Sequence, residues 1–218
     1  MHVLVVRGGW QGHHPEVTTD SFLPFLRGQG YRVTVSDTLD AYLDTDLLAG
    51  TDLIVQCWSM GTIDDARLSG LATAVAAGTG FAGWHGGIVA AFLGQPLYHR
   101  LTGGLFVDHP GDFVDYEVVV RPERAEHPIV RGIDRIRLHT EQYWVLTDAL
   151  DDVLATTTLA AGAGRPWPEP VTVPAVWTRR WGAGRVFVCT VGHHPPDLAV
   201  PEVRTIVERG MLWATRGR

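Results

Sequence analysis

Lysine is absent from this chain: all 18 basic residues are arginine. Without a lysine amine there is no Schiff base to a carbonyl substrate, no anchor for pyridoxal phosphate and no P-loop lysine for a nucleotide phosphate. A base-composition bias toward arginine accounts for the absence, and the chemical exclusion holds whatever its cause. Cysteine is scarce. Cys57 and Cys189 both lie in apolar runs, which suits two buried thiols and not a disulfide framework. Surplus positive charge is also missing. The net charge of -6 weighs against nucleic acid and anionic membrane surfaces as partners, because both select clustered basic residues. No apolar run approaches the roughly 20 residues of a membrane-spanning helix. The opening "MHVLVVRGG" has no charged leader or cleavage site and reads as a first strand, so a cytoplasmic location is expected.

What is present suits one compact α/β domain over residues 1–218. With 45% hydrophobic and 19% charged residues the chain can bury an ordinary core. Apolar, glycine-bounded runs at 2–9, 31–37, 52–58 and 80–85 read as buried parallel strands. Between them, 14–30 and 64–77 carry helix start and stop signals, although Pro24 interrupts the first. This alternation predicts a parallel sheet with helices on both faces. The second half reads as shorter strands around 105–120 and at 136–146, 153–160, 173–181 and 184–194. These extend the sheet or add an antiparallel layer, and a final helix follows at 201–215. The Gly- and Pro-rich stretch 161–172 reads as a surface loop.

One turn stands out. Gly83-Trp84-His85-Gly86-Gly87 follows a strand and precedes a small-residue run, the outline of a nucleophile elbow that lifts its central side chain above the sheet. Side chains at the flanking glycines would clash in so steep a turn. The central residue of such elbows is usually serine or cysteine; here it is His85, expected to be exposed on the floor of a cleft. Other predicted strand ends carry Trp10, Gln11, His13 and His14, then Trp58 and Ser59, and finally His193 and His194. Ligands of open α/β sheets bind outside the carboxyl ends of the strands. Imidazoles repeated at those ends therefore point to a functional cluster and not to isolated core residues.

The stretches "GGWQGHHPE", "DLIVQCWSMGTI", "GFAGWHGG", "GGLFVDHPG", "HPIVRGI", "HTEQYWVL" and "PAVWTRRWGAGRVFVCTVGHHPPDLAVPEVRTIVERGMLWA" together resemble the trehalose-utilisation (ThuA-like) family over essentially the whole chain. The resemblance implies a flavodoxin-like fold akin to class I glutamine amidotransferases: a three-layer sandwich with a mostly parallel central sheet and added antiparallel strands. It also implies disaccharide catabolism, with oxidised (3-keto) glycosides as the substrate class. His85 stands where an amidotransferase has its cysteine. The acyl intermediate of a glutaminase has no thiolate here, which excludes amide transfer.

Candidate roles follow. His85, Glu141 and His193 are the expected acid–base residues, since a carboxylate beside an imidazole orients it or exchanges protons with it. Trp10, Trp58, Trp84 and Tyr143 offer flat faces to a sugar ring, as Trp144 also could, while His13, His109 and Gln142 offer hydrogen bonds to hydroxyls. His13, His85, Glu141 and His193 also form a candidate ligand set for zinc or another divalent metal, with His14 and His194 as alternatives to their neighbours. No HExxH-type spacing is present, and a metal-free acid–base site uses the same residues. His2, His99, His127 and His139 are left as structural or exposed. The expected function is a lyase, isomerase or hydrolase acting on a small sugar. The alternative is a non-catalytic sugar-binding or regulatory module. Self-association is left open.

Overall fold

Four apolar runs of the first half fold as neighbouring parallel strands, and the segments between them cover both faces of the sheet. The computed structural model describes residues 1–162 and 164–217; Ala163, inside the loop read over 161–172, and Arg218, the last residue of the expected 1–218 domain, lie outside the described residues. The first half runs β1 (His2–Gly9), α1 (Pro15–Asp20), α2 (Leu23–Gly28), β2 (Arg32–Ser36), α3 (Thr45–Ala49), β3 (Leu53–Ser59), α4 (Asp65–Ala76) and β4 (Gly80–Trp84). Next come α5 (Gly86–Val89), α6 (Pro96–Thr102), β5 (Gly104–Asp108), β6 (Phe113–Val120), β7 (Arg135–Glu141) and β8 (Trp144–Thr147). The chain ends with β9 (Asp152–Leu159), β10 (Val171–Trp181), β11 (Gly184–Cys189), α7 (Pro195–Ala199) and α8 (Pro201–Ala214).

Nine strands form one sheet in the order β2-β1-β3-β4-β11-β10-β9-β6-β7. Pairings from β2 to β11 are parallel and those from β11 to β7 antiparallel. β5 and β8 pair separately as a two-stranded antiparallel sheet. The fold is the expected α/β sandwich, parallel in its first half and extended by antiparallel strands. The inner parallel strands β1, β3 and β4 are nearly continuous apolar runs because both faces are covered, whereas the edge strand β2 is only partly buried. Val3, Val5, Leu53, Val55 and Ala82 pack with α2 and α8 on one face, while Leu4, Val6, Ile54 and Phe81 pack with α4 and α6 on the other. No described helix is long and apolar enough to cross a membrane.

Two expected elements are divided. The helix read over 14–30 is two short ones: Pro24 has no N–H for the carbonyl of Asp20, and its ring clashes there. α1 accordingly ends at Asp20, and α2 restarts with Pro24 in its first turn. The strand read over 136–146 is also broken. Burial alternates along β7 from Arg135 to Thr140, as one covered face requires; then Glu141, Gln142 and Tyr143 are buried in succession. Three consecutive buried side chains do not fit that alternation. The chain turns here, so that β8 joins the separate sheet and Glu141 is left at a strand end.

Candidate active site

Beyond the carboxyl ends of β1, β4 and β11, three imidazoles meet. The ring of His13 lies 4.7 Å from that of His85 and 5.1 Å from that of His193, and the last two are 5.3 Å apart. Glu141, at the end of β7, closes the group: its Oε2 is 3.1 Å from His85 Nε2 and 3.0 Å from His193 Nδ1. All four residues are buried, and one ligand-type atom from each lies within 4.8 Å of the other three.

The elbow explains its own glycines. His85 has φ +48° and ψ -142°, a conformation unfavourable for a residue with a Cβ. It is held there by its N–H, which donates to the Cys189 carbonyl at 2.7 Å. A Cβ on Gly86 would lie 2.2 Å from His13 Cε1, and one on Gly87 would lie 2.9 Å from Cys57 Cα. The glycines admit His13 and β3 to close contact. The expectation of an exposed His85 is corrected: the residue is 1% exposed. Tyr143 roofs it, with the two rings stacked at 4.0 Å and 27°.

Two rings have a nitrogen engaged outside the cluster. His85 Nδ1 donates to the Thr190 carbonyl at 2.8 Å, so neutral His85 carries its lone pair on Nε2. His13 Nδ1 lies 2.6 Å from Ser59 Oγ at the end of β3. The Nε2 lone pair of His85 faces both Glu141 Oε2 and, at 3.3 Å, His193 Nδ1. The His85 Nε2 lone pair and the Glu141 carboxylate repel at this distance unless a proton, carried by His193 Nδ1 or His85 Nε2, or a metal ion lies between them. Burial, reinforced by His85 and His193, pushes His13 down to about 3. Burial also lowers His85, against the pull of Glu141 and Thr190. For Glu141 burial acts upward, but the neighbouring imidazoles of His193 and His85 outweigh it and hold the carboxyl well below the usual carboxylate range.

The other expected site residues are divided. Trp10 is half exposed and sets its ring against His13 at 4.7 Å. His109 reaches the rim, with Nε2 3.8 Å from Glu141 Oε1. Trp58 is partly buried and lies over Gly8, where a Cβ would come within 2.6 Å of its ring. Trp84 is a correction: strand alternation points it into the core against Phe22, and it presents no face to a ligand. Tyr143 is corrected as a sugar platform, because His85 and Phe106 occupy its faces. Gln142 does not join the cluster either. Its amide is tied to β9 through Thr157 Oγ1 and the Thr158 carbonyl. Of each His-His pair the first member enters the cluster, leaving His14 and His194 outside it. His2 bonds Thr34, His99 the Leu93 carbonyl and His139 Asp115, while His127 lies against Trp213.

The roles of Ser59 and Thr190, which hold the outer nitrogens, were not foreseen. Ser59 was legible as a strand-end residue, but Thr190 acts through its backbone and leaves no sequence signal. A family model described as "ThuA: Trehalose utilisation" matches residues 2–214. In fold the chain is similar to a protein described as ThuA-like from Parabacteroides merdae ATCC 43184, at 17% identity and TM-score 0.75, over 100% of this chain and 92% of that one. A second such protein, from Bacteroides uniformis ATCC 8492, gives 16% identity and TM-score 0.77 over 98% and 91%. The β-galactosidase of Rahnella sp. R3 shares the fold over 98% of this chain and 31% of its own, at 15% identity and TM-score 0.60. No curated protein matches the sequence.

Proposed function

This chain belongs to the ThuA, or trehalose-utilisation, family, and from that premise we propose that it is an enzyme acting on a disaccharide or an oxidised (3-keto) glycoside at His13, His85, Glu141 and His193. One observation carries the reading: three imidazoles and a carboxylate are buried together with their nitrogen and oxygen atoms converging. Sugar binding alone is served by aromatic faces and neutral amides, without the desolvation of a carboxylate that this cluster requires.

The same four residues fit a divalent metal such as zinc. Neutral imidazole and carboxylate are its usual ligands in catalytic sites. A carbonyl or hydroxyl on the far nitrogen, as Thr190 and Ser59 supply to His85 and His13, is the support that metal-bound imidazoles take. When bound, such an ion polarises a carbonyl oxygen or acidifies a water molecule. The side chains supply the rest. Trp10 offers a flat face at the mouth, and His109 stands at the rim to exchange a proton with a hydroxyl or with the carbon beside a keto group. A keto group acidifies the neighbouring C–H. Elimination or isomerisation then needs a base and an acid but no strong nucleophile, consistent with a lyase, an isomerase or a hydrolase that works without a catalytic thiol.

The test uses protein purified without a histidine tag and a panel of oxidised and unoxidised disaccharides, with products read by mass and NMR. Elemental analysis, chelation and zinc add-back run in parallel. Stoichiometric metal and turnover that follows it are expected. Full activity in chelator would leave the histidines to proton transfer alone, and tight binding without turnover would make the protein a sugar-binding module.

A further inference from the structure

The sequence Gly-His-His-Pro occurs twice, at 12–15 after β1 and at 192–195 after β11. In both copies the first histidine enters the buried cluster and the proline opens a short helix, α1 or α7, although the backbone differs at the second histidine, left-handed at His14 (φ +48°) and extended at His194 (φ -116°). The second histidines serve neither the cluster nor the core, yet they meet outside it with ring centroids 5.4 Å apart. His194 also lies 4.1 Å from His193, so the outer pair adjoins the cluster. Phe113, the first residue of β6 and the cross-strand partner of Glu141, completes the group. Its ring stacks on His194 at 5.6 Å and 15° and meets His193 edge-on at 5.2 Å. Phe113 is 45% exposed. A lone exposed phenylalanine needs no explanation; one held flat against an imidazole beside a buried polar cluster does.

We propose that Phe113, His14 and His194 form an outer subsite for the second ring of a two-ring glycoside whose first ring lies at the buried cluster. The inference rests on the sugar reading above. A phenyl face suits the C–H face of a pyranose, and imidazole nitrogens can both donate to and accept from its hydroxyls. Trp10 borders His13 as Phe113 borders His193, so each flank of the cluster carries an aromatic ring. The backbone that presents His14 is fixed: its N–H donates to the Gln11 carbonyl, and its carbonyl accepts from Thr18 N–H.

The test compares 3-keto-trehalose with methyl 3-keto-α-glucopyranoside, by titration calorimetry and by kcat/KM, in the wild-type chain and in Phe113→Ala and Phe113→Leu. The two-ring probe should bind more tightly to the wild type. Phe113→Ala should weaken that probe alone by about three- to tenfold, the scale of one aromatic contact. Phe113→Leu keeps the bulk without the flat ring and should show the same selective loss; its ratio decides if Phe113→Ala does not fold. An unchanged ratio between the two probes in the folded variants overturns the subsite and leaves the sugar reading standing. Failure of both probes to bind or react with the wild type overturns the sugar reading, and the subsite with it.

Discussion

At His85 the backbone, the ring stack and the tautomer are fixed by separate parts of the chain: Cys189, Tyr143 and Thr190. His85→Ala should therefore lower the melting temperature as well as remove activity. It gives up a hydrogen bond worth about 1 kcal/mol and a stacked ring pair worth roughly 0.5–1.5 kcal/mol. A circular-dichroism melt identical to the wild type would contradict this account. Glu141→Gln keeps the shape and removes the charge. The rate should fall by about 10²- to 10⁴-fold, the scale of general-base removal, and an unchanged kcat/KM would leave Glu141 a purely structural part. His13 sets a pH dependence. Its folded value of about 3 lies below the ordinary 6.5, so the unfolded chain takes up the proton first as pH falls. Its contribution to stability is full above the ordinary value and is lost progressively down toward the folded one. Urea midpoints measured from pH 7 to 4 should drop more steeply for wild type than for His13→Gln; parallel curves would refute the assignment.

At the scale of elements, the turn from β4 into α5 depends on a missing atom. Gly86→Ala would drive a methyl into the His13 ring, and overpacking of this kind costs about 1–3 kcal/mol. Turnover should fall together with the thermal midpoint, whereas unchanged turnover would show that His13 can move without consequence. A second link joins the two sheets. Arg179 on β10, itself buried, donates to Asp148 and Asp151 just beyond β8, at 3.1 and 3.0 Å. Burial pushes Asp151 up to about 7 despite the guanidinium. Arg179→Met leaves that carboxyl without its cation, and removing one partner of a buried pair costs about 3–5 kcal/mol. Urea unfolding measures it, and a loss under about 1 kcal/mol, the scale of an exposed pair, would show that the pair is dispensable.

Across the whole molecule, the parallel half was legible because strands covered on both faces are written as continuous apolar runs, as in "HVLVVRGG" and "DLIVQCW". The division at Gln142 and Tyr143 was not, because composition does not mark where a strand leaves its sheet. The site shows the same contrast. Imidazoles at strand ends signalled the cluster, since open sheets gather ligands at those ends. The direction in which Trp84, Gln142 and Tyr143 face depends on register and on the turn, and neither is written in residue type. Phe113 gave no local signal. The repeated Gly-His-His-Pro was present but acquires meaning only when β1 and β11 lie in one sheet.

The strand order also sets a timetable for synthesis. β11 is the last strand made, yet it occupies the middle of the sheet between β4 and β10. A nascent chain that has not reached it holds β4 with an open edge and lacks His193, so the ligand set is incomplete until nearly the final helix has emerged. A chain ending at residue 183 should aggregate through that unpaired edge, as sedimentation would show. The four-residue cluster is thereby assembled only when β11 takes its place between β4 and β10.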